Sequence, residues 1–266
     1  MEYQREKQMS APKNLVGKRI AVLAADGFEK MELVAPVAAI KAAGGQAVIV
    51  ALHSGRIRGM DSHQPADLLL VDKTVNEARA SDYDGLLIPG GYISPDLLRQ
   101  SAQARDFVRD LNALGKPIAL MSQAPLVLAS AGLLMQRTLT SWPGVRDDMV
   151  NAGATWLNEE VVRDANWLSS RGPQDMGALI REMIPLFAGE PATSGTLRQA
   201  HSDPQPEQPS EMPGQPLRWL ATPSVGAMLG LALLGVGVVA ANRGRRRKQA
   251  TAAEATPAPK EDESNF

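Results

Sequence analysis

Residues 116–131 read KPIALM, then SQ, then APLVLASA. The first six make a continuous apolar run, the pattern of a strand buried on both faces of a parallel sheet. The last eight start a helix at once. A strand that turns directly into a helix through one small polar residue has the geometry of a nucleophile elbow. Its side chain projects at the sheet edge, and the next backbone N–H can stabilise an oxyanion. Ser122 holds that place.

The same alternation extends on both sides of the elbow. Arg19–Ala25 (RIAVLAA) reads as a strand, and Glu29–Ala43 has helical periodicity ending at Gly44-Gly45, a C-cap signal. Gln46–Leu52 is a second strand, and Gly85–Ile88 (GLLI) another, followed by Pro89-Gly90-Gly91. Pro95 to Leu114 reads as one long helix closed by Gly115. Strands alternating with helices predict an α/β fold, a doubly wound parallel sheet with helices on both faces. Ligands in such sheets bind beyond the carboxyl ends of the strands. That rule selects Asp26–Glu29, Gly90–Gly91 and Ser122–Gln123. Gly90 and Gly91 can bring a second backbone N–H close to the elbow with no side chain in the way. Glu29, at the start of the first helix, is within the expected reach of the elbow residue.

Composition narrows the chemistry. The net charge is −1 and aromatic residues are few, which argues against a nucleic-acid partner. There is no cysteine, so disulfides, thiolate metal sites and thiol nucleophiles are all excluded. The histidines, His53, His63 and His201, lack metal-ligand spacing, so no metal and no cofactor is expected. His53 and His63 fall in the second-strand region, away from the elbow in this topology.

The termini differ from the centre. Residues 1–14 are polar and read as a loose arm, with no secretory signal, while 15–188 carry the α/β pattern. Residues 189–218 are rich in Pro, Ser, Gln and Glu and read as an extended, disordered linker. Residues 219–242 carry no charge and are long enough to predict one transmembrane helix, giving a single-pass membrane protein. Gly226 and Gly230 in that stretch allow close helix approach. Residues 243–266 form a tail, basic from Arg243 to Lys248 and then rich in Ala, Pro and acid. The positive-inside rule places the basic flank in the cytoplasm. The absence of a signal places the main domain there too, and the orientation stays open between the two.

Four segments then become familiar: DGFEKMEL at 26–33, LLIPGG at 86–91, TSWPGVRDDMVNAGATW at 140–156 and VVRDANWLSSRGPQDM at 161–176. Residues 18–187 resemble the ThiJ/PfpI superfamily, the intracellular proteases and deglycases related to class I glutamine amidotransferases. The resemblance implies a flavodoxin-like sandwich and a homo-oligomer, dimer or hexamer. The family's elbow is Cys-His-Gly-Pro, and here those positions are Ser122, Gln123, Ala124 and Pro125. By the same resemblance, Glu29 stands for the carboxyl beside the family cysteine, and Asp96 for an acid supplied across a subunit contact.

Two readings of the elbow follow. A serine hydroxyl needs a positioned base, and the amide of Gln123 cannot accept its proton. In one reading the domain is a degenerate, membrane-tethered member acting in binding or stress protection. In the other it is a peptidase, deglycase or glyoxalase-like enzyme using Ser122 with Glu29. Each residue also has a structural account: Glu29 and Asp96 as helix N-terminal charges, and Gly90-Gly91 as a turn passing close to the elbow.

Overall fold

The computed structural model describes residues 14–191 and 201–206. The chain begins with β1 (Arg19–Leu23), β2 (Phe28–Glu29), α1 (Lys30–Ala42) and β3 (Gln46–Ala51). A hairpin of β4 (Arg56–Asp61) and β5 (Gln64–Leu70) follows, then β6 (Lys73–Thr74) and β7 (Gly85–Ile88). Next come α2 (Ser94–Gln100), α3 (Ala102–Ala113), β8 (Ile118–Met121) and α4 (Pro125–Ser130). The last group is β9 (Thr138–Leu139), α5 (Arg146–Asn151), β10 (Thr155–Trp156), β11 (Val161–Asp164), β12 (Trp167–Ser170) and α6 (Met176–Ala188).

Seven strands form the main sheet in the order β11-β12-β8-β7-β1-β3-β6. Its strands run parallel except β11, which pairs antiparallel with β12. The chain moves from β1 outward to β3 and β6, then returns to the other side of β1 as β7. This reversal puts the switch point between β1 and β7, with the end of β8 beside it.

Alternation along the strands builds two cores. Ala21, Leu23, Leu86, Ile88, Ile118 and Leu120 face one side with Phe107, Val108 and Leu111 of α3. Ile20, Val22, Leu87, Ala119 and Met121 face the other with Leu33 and Ile40 of α1 and Met183 and Phe187 of α6. The central strands are buried on both faces, which is why they read as unbroken apolar runs. Replacing one such leucine by alanine costs about 2–5 kcal/mol.

Several expectations are corrected. The helix read over 95–114 is two helices, because Ser101 is extended and its hydroxyl caps α3 by accepting from the Ala104 amide at 3.2 Å. The β4–β5 hairpin forms a separate three-stranded sheet with β2 and folds back over the end of β1. It stacks His63 on Tyr92 with ring centroids 5.5 Å apart. The described residues form the α/β sandwich alone, and the transmembrane helix expected with it is not among them: no helix of the described residues is long and apolar enough to cross a membrane. The span expected at 219–242 lies outside the described residues, as do most of the arm over 1–14 and the tail over 243–266. Residues 201–206, expected within the extended linker, lie against the domain at β10.

Candidate active site

β8 delivers Ser122 in a conformation that a serine rarely adopts, with φ +50°. Such strain persists only where neighbouring bonds hold it. Here the Ser122 amide donates to the Ser170 carbonyl at 3.1 Å, and its carbonyl accepts from the Trp142 amide at 3.0 Å. One residue on, the Ala124 amide donates to the Met121 carbonyl at 2.8 Å and α4 begins. The expected elbow is therefore present.

The carboxyl against it is Glu32, not Glu29. The Ser122 hydroxyl donates to Oε1 of Glu32, and the Gly90 amide donates to Oε2 at 2.7 Å. Glu32 is fully buried, and burial pushes its carboxyl up to about 7, with the bonds from Ser122 and Gly90 acting in opposition. Glu29 is also buried, but its carboxyl accepts from the Ser62 amide at 3.1 Å. Burial raises its pKa as well, with the Ser62 bond opposing. The two acids lie one helical turn apart, and Glu29 adds a small upward push on Glu32. Position 32 was legible as the third residue after Glu29 on the same helix face. No sequence signal chose between the two.

Gln123 stays at the site with a different task from a histidine. Its Oε1 accepts from the Gly91 amide at 3.3 Å. The Gly90 and Gly91 amides, expected to offer a backbone N–H to an oxyanion, donate instead to Glu32 and Gln123. Gly91 has φ +107°, and a Cβ there would lie 2.5 Å from the Gly27 carbonyl oxygen, so only glycine fits. Asp96 sits exposed in the first turn of α2, where Gln100 donates to its carboxyl at 3.0 Å, and it does not line the Ser122 cavity. Ser94, which the sequence did not single out, is fully buried and accepts from the Ala25 amide at 2.9 Å. That bond ties the loop after β1 to α2.

Around Ser122 the walls are Glu29, Glu32, Gly91, Tyr92, Gln123, Trp142 and Pro173, enclosing a cavity of about 10 Å³. A single water needs roughly that much. A separate concavity of about 610 Å³ lies between residues 75–81 and α3 and shares no residue with the elbow. Among the described residues, no cluster of three or more His, Asp or Glu side chains is arranged to hold a metal ion.

A parallel sheet that presents a strained hydroxyl over a buried carboxyl beside its switch point defines a nucleophile-elbow protein of the α/β class. Residues 18–186 match the DJ-1/PfpI family, and the chain belongs to that family. It is 38% identical over 169 residues to the protein named Deglycase PfpI of Pyrococcus furiosus, covering 64% of this chain and 99% of that one. It is 34% identical over 174 residues to Protein/nucleic acid deglycase 2 of Escherichia coli, covering 65% and 99%. The crystal structure of Drosophila melanogaster DJ-1beta superposes with a TM-score of 0.60 at 27% identity, covering 65% of this chain and 91% of that one.

Proposed function

We propose that this protein is a DJ-1/PfpI family member that has given up nucleophilic turnover and uses the retained frame for binding or protection. The observation that carries the reading is the state of the backbone donors. Gly90 N–H is held by Glu32 and Gly91 N–H by Gln123, so neither is directed at a substrate oxygen. The cavity of about 10 Å³ agrees, since it has room for little more than one water. Cysteine is absent from the whole chain, which removes the thiol chemistry outright.

The test uses the purified full-length chain with methylglyoxal, a glycated peptide and casein. No Ser122-dependent turnover is expected. Activity lost on Ser122→Ala would overturn the reading.

A second reading has one specific observation in its favour. A carboxyl raised to about 7 and bonded to the Ser122 hydroxyl is matched to general-base work near neutral pH. On that reading Ser122 attacks a carbonyl and Glu32 takes its proton, while Gln123 must swing aside to free the Gly91 amide. A mass increase on Ser122 after incubation with an activated ester would favour this enzyme.

Self-association belongs to the proposal as well. Met31 and Val34 of α1 and Leu68 and Leu70 of β5 are large apolar side chains, each about half exposed or more. Exposed large apolar side chains of this kind are suited to burial in an oligomer. Sedimentation at micromolar concentration is expected to give a species larger than 28.4 kDa.

A further inference from the structure

The short strand β10 has two edges. One pairs with β9 in parallel. Against the other lies Ser202-Asp203-Pro204-Gln205, a segment beyond the family domain. The Trp156 amide donates to the Ser202 hydroxyl at 2.9 Å, and the Asp203 amide donates to the Trp156 carbonyl at 2.8 Å. The Asn158 amide donates to the Asp203 carboxylate at 2.7 Å. Arg146 Nε donates to the Asp203 carbonyl at 2.7 Å, and Gln205 Nε2 donates to the Pro143 carbonyl at 3.0 Å.

Both the backbone and the side chains of the segment are read. A strand edge supplies main-chain bonds, and neighbouring groups select the side chains, as in strand-addition recognition of peptides. The Asn158 amide selects a carboxylate two residues beyond the strand, while Pro204 has no N–H to leave unpaired and ends the pairing. Arg146 is a fixed part of the site: its side chain is only 17% exposed and is also held by Asp147.

We propose that the outer edge of β10, with Arg146 and Pro143, is a recognition site for an extended Ser-Asp-Pro-Gln segment, occupied in cis by residues 202–205. The site borders the Ser122 cavity. Pro143 follows Trp142, which lines that cavity, and Trp156 Nε1 donates to Ser141 Oγ at 2.9 Å in the same loop. The strap therefore buttresses the loop that covers the elbow.

Hydrogen exchange on the full-length chain tests the site. In wild type the Trp156 and Asn158 amides are expected to be protected. In Ser202→Ala/Asp203→Ala their exchange should rise by roughly tenfold or more, while the β1 amides keep wild-type rates. A synthetic peptide of residues 199–208 added to the variant should restore protection, and the same peptide with alanine at both positions should not. Equal exchange in wild type and variant would overturn the proposal, as would a wild-type peptide that restores nothing. Wild-type protection that falls on dilution would assign the occupant to a second copy and overturn occupation in cis. Should the double variant also lose β1 protection, Asp203→Ala alone gives the same comparison at the Asn158 amide.

Discussion

Ser122 and Glu32 form one unit: the hydroxyl donates to one carboxyl oxygen, and the other oxygen receives the Gly90 amide at 2.7 Å. Helix α1, strand β8 and the turn after β7 thus meet on a single buried acid.

That acid makes stability depend on pH. Its folded pKa is about 7, above the ordinary 4.5, so between those values the folded state binds more protons than the unfolded one. Stability from this group is therefore present at low pH and declines as pH rises through the window, by about 3 kcal/mol in all. Glu32→Gln keeps the shape, with Oε1 for Gly90 and Nε2 for Ser122, and removes the charge. Urea melts at pH 5 and pH 7.5 should differ clearly in wild type and by much less in the variant. Parallel pH profiles for both would contradict the buried acid.

Ser122→Cys would place a single thiol in a chain that has none. In the wild-type surroundings its alkylation by iodoacetamide should be slow, because the cavity is about 10 Å³. Gln123→Ala in addition removes the side chain that holds the Gly91 amide. The rate, followed by intact mass, should then rise by roughly fivefold to tenfold, the equivalent of about one neutral hydrogen bond. Fast labelling of the single variant would mean that the site is already open.

The helix break at Ser101 supports a smaller claim. Its hydroxyl accepts from the Ala104 amide at 3.2 Å, an N-cap bond for α3. Ser101→Ala should lower stability by about 1 kcal/mol in thermal or urea melts. Ser101→Asp should retain most of it, since an aspartate caps as well.

The legible part of this molecule was the part governed by local pattern. β1, β7 and β8 are buried on both faces, and continuous apolar runs report that directly. Ser122 was found because an elbow is a local event, a strand abutting a helix. What escaped depended on contacts between segments distant in sequence. Glu29 and Glu32 lie three residues apart across the start of α1, and only the hairpin decides between them, by bringing the Ser62 amide to Glu29. The same hairpin carries His63 to Tyr92 at the cavity wall, against the expectation that it lay away from the elbow. The seat of residues 202–205 was hidden for the same reason. Its partners are backbone and polar groups 45 to 62 positions away, and a Pro-rich composition says nothing of them.

Gly90 offers the sharpest test of how tightly these segments meet. A Cβ at that position would lie 2.5 Å from Ser122 Cβ, 2.6 Å from Glu32 Oε2 and 2.9 Å from the Met121 carbonyl oxygen. Two of these neighbours cannot retreat easily. The Met121 carbonyl accepts from the Ala124 amide at the elbow, and Ser122 is held at its amide and carbonyl by Ser170 and Trp142. Glu32 can move only by giving up the Gly90 amide or the Ser122 hydroxyl, leaving a buried polar group unpaired. Gly90→Ala should therefore cost about 1–3 kcal/mol by overpacking alone, and more where a bond is lost. Gly17, whose added Cβ meets nothing within 4 Å, is the control for a glycine with open space, although its φ of +78° carries its own strain. A Gly90→Ala melt no lower than that of Gly17→Ala would mean that the turn after β7 can draw away from the elbow, and that Glu32 is less firmly held than its two bonds imply.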